Sequence, residues 1–277
     1  MKVEAQSRSN SAIGIFDSGL GGLTAVKQLK KVMPKENIVY FGDTGRVPYG
    51  NRSRDTIIKY ARQDASFLLT HNVKIVIAAC GTVSSVAECL KEELPVLYTG
   101  VVRPTAFAAV AATKCKKIGV IGTTATIGSH SYKKEIMRFN PDIEVVEQDC
   151  PLFVSLVESG FISKDDPIVS LTVERYLKPV KETGVDTLIL GCTHYPILSE
   201  AISEYMGDHV ALIDSGKETA IYAAKILKEH SLLNAEDDGH TCEFYVSDTP
   251  DGFAKVAGLF LGEDVGDCVK QIDIGCY

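Results

Sequence analysis

The 277-residue chain contains no apolar run approaching the roughly 20 residues of a membrane-spanning helix. It also lacks any cluster of lysine and arginine, and 36 acids against 29 bases leave a formal charge of −7. An acidic chain without a basic stripe is poorly suited to nucleic acid or polyphosphate, whose binding rests on phosphate neutralisation. Residues 1–11 are polar and lack the apolar core of a secretory signal, so they are expected to form a disordered extension. The eight cysteines (80, 89, 115, 150, 192, 242, 268 and 276) include no CxxC pair. They are expected to be the reduced thiols of a cytoplasmic protein rather than a disulfide framework. No lysine stands at a strand-end turn, where a Schiff base with pyridoxal phosphate would form. Chemistry without a cofactor or metal is therefore the expectation.

What the chain does have is an alternation of short apolar runs with amphipathic stretches. Ala12–Phe16 reads as a strand closed by a glycine turn, followed by Leu23, Val26 and Leu29 at helical spacing. Ile38–Phe41 is a second strand, opening into a loop from Gly42 to Gly50. Ile75–Ala79 is a third strand; it ends in Cys80-Gly81-Thr82, with Thr82 or Ser84 expected to cap the helix after it. Near Gly100–Pro104 the pattern restarts, with a helix expected from Thr105 and a strand at Lys117–Gly122. A later strand, Thr187–Gly191, again ends in a thiol, Cys192-Thr193-His194. Ile13 and Ile118 lie 105 residues apart and Cys80 and Cys192 lie 112 apart. Two nearly equal offsets predict an internal duplication. The expected fold is α/β, with two pseudo-symmetric parallel-sheet lobes and an active site in the cleft between them. The expected lobes are 12–103 and 104–212, with a polar linker at 231–240 and residues 213–277 packing back onto a lobe.

Open α/β sheets bind ligands beyond the C-terminal ends of their strands. That rule points to Asp17-Ser18, the 43–50 loop, Cys80-Gly81-Thr82, Thr123-Thr124 and Cys192-Thr193-His194. Two thiols facing each other across one cleft suit inversion of a stereocentre through a carbanion. One removes a proton from one face and the other returns a proton to the opposite face. Cys has an unperturbed pKa of about 8.5, closer to neutrality than Ser or Lys, so either thiol can serve in both roles. Asp17 is the expected helper of Cys80, and His194 of Cys192. A lone Cys ending a Val/Ile strand is more often core, and the six other cysteines are read that way. A zinc site at Cys80, Cys192 and His194 lacks a ligand. A dinucleotide fingerprint at Ser18–Gly22 has Thr24 in the place of its third glycine. A Cys-His nucleophile for acyl transfer stays open, but leaves the second cysteine without a role.

At these residues the sequence resembles glutamate racemases, of the cofactor-independent Asp/Glu racemase family. The matching stretches include Gly14–Thr24, Tyr40–Thr44, Val47–Gly50, Ala79-Cys80 and Gly100–Val102. Cys150–Val154, Leu156–Glu158, Leu190–Pro196 and Ile213–Ser215 also match. The resemblance implies Cys80 and Cys192 as the two bases, Asp17 and His194 as their assistants, and Glu158 as an acid at the pocket. It implies substrate contacts from Asp17, Ser18, Tyr49, Gly50, Gly81, Thr82, Thr193 and His194, with Pro48 and Thr124 beside them. It further implies glutamate as substrate, D-glutamate supply for peptidoglycan, a homodimer, and a return of the last helix to the first lobe. Alternatives are a racemase of aspartate or another acidic amino acid, a Cys-His amidohydrolase on the same fold, and an inactive binder of acidic metabolites. Two positions depart from the family pattern. Gly81 replaces an Asn that would contact the amino acid, leaving room for a water, and Arg103 replaces an acid.

Overall fold

A computed structural model describes residues 9–235, 240–262, 265 and 268–277. Ten strands, β1 to β10, form two wholly parallel sheets among these residues. The first sheet has the order β10-β9-β2-β1-β3-β4 and the second β6-β5-β7-β8. In chain order the first lobe supplies β1 (Ala12–Asp17), β2 (Ile38–Gly42), β3 (Val73–Ala78) and β4 (Leu97–Gly100). The second supplies β5 (Lys117–Gly122), β6 (Glu144–Asp149), β7 (Thr187–Leu190) and β8 (Ala211–Asp214). Each set of four has the same lateral order, second-first-third-fourth, and each is parallel throughout. The two cysteine strands β3 and β7 therefore occupy equivalent places. β9 (Cys242–Val246) and β10 (Val269–Gln271) return to extend the first sheet beside β2.

The two-residue period of a strand positions the thiols. In β3, Ile75 and Ile77 face the core that both lobes share, while Val76, Ala78 and the following Cys80 face the outer core of the first sheet. After β7, Cys192 continues the face of Leu188 and Leu190 into the shared core. That core runs from Ile13 and Leu23 to Val173 and Leu188, so the lobes are packed together. The helix Ser215–Glu229 packs on both Leu23–Val32 and Val102–Ala112, closing the connection between the lobes.

Several boundaries differ from the sequence expectations. The helix expected from Thr105 begins at Val102, because Pro104 falls in its first turn, where a proline is tolerated. The helix Gly81–Val86 has Cys80 at its N-cap position and no side-chain cap. Thr82 instead meets Thr123 across the cleft, and Ser84 donates to the Ala78 carbonyl. β8 spans the boundary expected at 212/213. Residues 1–8 of the expected polar extension and 236–239 of the linker lie outside the described residues. Ser9–Ser11 are held against the first lobe: Lys74 donates to the Ser9 carbonyl at 2.5 Å and Asn37 to that of Asn10 at 3.1 Å. β10 had no counterpart in the sequence reading; three residues carry too little pattern to register.

Candidate active site

A cavity of about 490 Å³ lies between the lobes, at the C-terminal ends of their strands. Ser18, Pro48, Tyr49, Gly50, Cys80, Gly81, Thr82, Thr124, Glu158, Cys192, Thr193 and His194 all line it. Of the residues singled out from sequence, Asp17 alone is absent from the lining; it is fully buried behind Ser18. Thr123, which the strand-end rule named with Thr124, lines it as well, whereas Asn51 and Ser155 were missed by sequence reasoning. Asn51 and Ser155 carry no signal at all until the loops are placed.

The two thiols have unlike surroundings. Cys80 is 5 % exposed and donates to the Ser18 hydroxyl at 3.4 Å. Burial pushes it up to about 12, the Asp17 charge adds to this, and the Ser18 hydrogen bond opposes it. The direct partner of this thiol is thus Ser18, with Asp17 acting through its charge. Asp17 accepts from the Gly19 N–H at 3.0 Å through Oδ2, while its Oδ1 has no hydrogen-bond partner. Burial raises its carboxyl above the usual range, against the opposing pull of His194 and nearby backbone N–H groups.

On the other side, Cys192 lies 3.8 Å from Nδ1 of His194, whose Nε2 meets Glu158 Oε1 at 3.0 Å. Burial works against the imidazolium, but the contacts with Cys192 and Glu158, and then the Asp17 charge, push it up to about 10. Phe260 from the tail helix Pro250–Leu261 meets the same ring edge-on, with centroids 5.6 Å apart. The imidazole is fixed by a thiol, a carboxylate and an aromatic edge. Phe260 was invisible to sequence reasoning because only the folded tail brings it there.

The wall carrying Pro48-Tyr49-Gly50 is braced from behind. The Tyr49 hydroxyl donates to Asp43 and to Asp64, the latter at 3.1 Å. Arg46 pairs with both carboxylates, at 2.5 and 2.9 Å, and Ser247 donates to Asp43 at 2.7 Å. Across the cleft, Thr82 and Thr123 hydroxyls lie 3.0 Å apart, and Thr24 donates to the Thr193 carbonyl at 3.1 Å.

One sequence expectation about the departures is corrected. Gly81 does not open room for a water: a β-carbon there would stand 2.3 Å from the carbonyl oxygen of Gly191 in the other lobe. Arg103, whose role the sequence leaves open, pairs with Glu135 at 3.3 Å and lies over the Phe139 ring.

Residues 26–223 match the family model for Asp/Glu/hydantoin racemases. The chain belongs to that family. Among members, the glutamate racemase of Geobacter metallireducens is 47 % identical over 95 % of this chain and 97 % of its own length. The glutamate racemase of Francisella tularensis, solved in complex with D-glutamate, superposes with a TM-score of 0.89. It is 39 % identical, over 97 % of this chain and all of that one. The Thermus thermophilus glutamate racemase, solved with beta-chloro-D-alanine, gives a TM-score of 0.86 at 40 % identity, over 96 % and 98 % of the two chains. An aspartate racemase from Picrophilus torridus shares the racemase fold at 20 % identity and a TM-score of 0.57.

Proposed function

We propose that this racemase family member interconverts L- and D-glutamate by proton transfer between Cα and two cysteines. The observation that carries the reading is one cavity lined by a thiol from each lobe, Cys80 and Cys192. The relatives' names and their coverage support glutamate as the substrate. One sulfur, as thiolate, takes the Cα proton from one face and becomes a thiol. The electron pair left at Cα delocalises into the carboxylate as a planar species. The other sulfur, as thiol, then protonates the opposite face, so the sulfurs exchange protonation states and the centre is inverted. In the transfer itself only C–H and S–H bonds break and form.

His194 accepts or returns the Cys192 proton over their 3.8 Å contact, and Glu158 holds the ring in register. Ser18 takes a hydrogen bond from Cys80, and the charge of Asp17 behind it favours the protonated thiol. The described lining of the cavity contains no lysine or arginine. A dicarboxylate is therefore met by neutral donors, the hydroxyls of Ser18, Thr82, Thr124 and Thr193 and the Asn51 amide, together with the His194 cation. The enzyme supplies D-glutamate for peptidoglycan in the cytoplasm and works as a homodimer. Its described residues include no helix long and apolar enough to cross a membrane.

Nuclear magnetic resonance in heavy water tests the reading. Deuterium should enter Cα of both glutamate enantiomers with the wild type. Cys80→Ser and Cys192→Ser should each lose racemisation while keeping the wild-type circular dichroism spectrum. Normal racemisation by either variant would sink the two-thiol assignment, and absence of exchange with glutamate in the wild type would sink the substrate.

A further inference from the structure

Asp64, on the helix Arg54–Leu69, is fully buried behind the substrate wall, and so is Asp43. The Tyr49 hydroxyl lies against Oδ2 of both carboxyls. Arg46 reaches Asp43 Oδ2 through Nε at 2.5 Å and Asp64 Oδ1 through Nη2 at 2.9 Å. With both acids ionised, this cluster has too few protons and too little positive charge. A hydroxyl carries one proton, so it serves one carboxylate at a time and turns lone pairs on the other. A single guanidinium leaves a second buried carboxylate without a counterion. Asp43 takes bonds from Arg46, Tyr49 and Ser247, the last at 2.7 Å, and is the better site for the ionised group. Asp64 Oδ2 meets the phenol oxygen at 3.1 Å and is the place for an added proton. The bonds then run in one sense, from the Asp64 O–H to the Tyr49 oxygen and from the Tyr49 O–H to Asp43. The surroundings agree. Burial raises the Asp64 carboxyl well above its usual range; Asp43 and, at the end of β1, Asp17 add to this, while Arg46 and the Tyr49 bond oppose it. Burial and the same two carboxylates push the Tyr49 phenol far up, so it keeps its proton. Tyr60, on the helix of Asp64, lies under the Arg46 guanidinium at 4.0 Å and brings no charge.

We propose that Asp64 is a positioning residue that, as a neutral carboxylic acid, holds the Tyr49–Asn51 turn of the substrate wall through the Tyr49 hydroxyl. This rests on the glutamate site read above and deepens it. Tyr49, Gly50 and Asn51 form one turn, all three line the cavity, and Gly50 reaches Thr123 of the other lobe. The phenol anchors that turn in the first lobe. An ionised Asp64 would confront both Asp43 and the phenol lone pairs, driving Tyr49 out of place and Gly50 and Asn51 with it. A neutral acid donates where the anion would repel. Because this wall carries neither sulfur, its displacement weakens substrate binding more than proton transfer.

The test compares Asp64→Leu, Asp64→Asn and Tyr49→Phe with the wild type in glutamate racemisation. Asp64→Leu and Tyr49→Phe should each raise KM about tenfold, the worth of one lost hydrogen bond, with kcat little changed. A side-chain amide donates where the acid O–H does and accepts where its carbonyl does, so Asp64→Asn should bring KM back toward the wild-type value. Infrared spectra in heavy water near neutral pH give a readout that needs no substrate. The wild type should show the carbonyl stretch of a buried carboxylic acid that Asp64→Asn lacks; Asp17 is common to both spectra and cancels. That comparison, with Tyr49→Phe, still decides the matter if Asp64→Leu does not fold. A KM for Asp64→Asn as high as that of Tyr49→Phe, a wild-type KM in Tyr49→Phe, or no acid band lost in Asp64→Asn would overturn the proposal. A wild type that does not racemise glutamate would instead count against the substrate reading, and the infrared difference would still report the proton on Asp64.

Discussion

Burial alone would strip His194 of its proton, yet the ring titrates at about 10 because Cys192 and Glu158 grip its two nitrogens. The sign of the consequence follows. The folded value lies above the usual 6.5, so the stabilisation from this cluster is complete below about pH 6.5 and is lost as the pH rises through about 10. Glu158→Gln removes one of the raising partners. The alkaline limb of the kcat/KM profile for racemisation should therefore move to lower pH, and a limb that stays in place would show that Glu158 does not poise the ring. Cys80, Cys192 and His194 were legible in the sequence because a thiol ending an apolar strand occurs twice with small or hydroxylated residues after it. Asp17 was legible as a charge near Cys80 but not as a residue sealed behind Ser18. The crowding at Gly81 could not be read at all, since it depends on a carbonyl more than a hundred positions away.

Single elements are tied down by polar staples that the sequence shows only as isolated acids. Asp186, just before β7, accepts from the Thr113 hydroxyl at 2.6 Å and from the Lys114 and Cys115 N–H groups at 2.7 Å each. Thr187 adds a fourth bond at 3.0 Å. Burial would raise this carboxyl, but the four donors hold it well below the usual range. Its stabilisation is present above the unfolded value of about 3.9 and is lost as the pH falls toward the folded one. Asp186→Asn should thus lower the urea midpoint more at pH 7 than below about pH 4. A difference that does not depend on pH would remove the staple from the account. Most strands were legible because their apolar runs are bounded by glycine and polar turns. Helix starts were less so, as Val102 and Cys80 show, because backbone geometry rather than a capping side chain fixes them.

The whole molecule is held at its back by a buried ion pair. Lys74 meets Glu36, with both side chains almost fully enclosed, and Glu36 also accepts from the Asn234 N–H at 2.9 Å. Four separate parts of the chain converge here: the segment before β1, the turn before β2, β3, and the stretch after the helix Ser215–Glu229. Removing one partner leaves a buried charge without its counterion, which costs roughly 3–5 kcal/mol. Lys74→Met should destabilise by about that much in urea unfolding, and adding Glu36→Gln should restore part of the loss. A double variant no more stable than Lys74→Met would show that the charge is not what is costly. The duplication was the feature of the whole most legible from sequence, since 105 and 112 nearly agree, and the repeated strand order gives it a structural form.

The unlike company of the two thiols has a thermodynamic bound. L- and D-glutamate are mirror images with the same free energy in water, so their equilibrium ratio is unity whatever the enzyme does. The quotient kcat/KM must then be identical in the two directions, even though in the proposed two-thiol mechanism one direction begins at a sulfur beside Ser18 and the other at a sulfur beside an imidazole. The asymmetry of the cleft is free to act only on where the enzyme waits between turnovers. It can make one enantiomer bind more tightly and turn over more slowly, by the same factor, and so set which hand saturates the enzyme first.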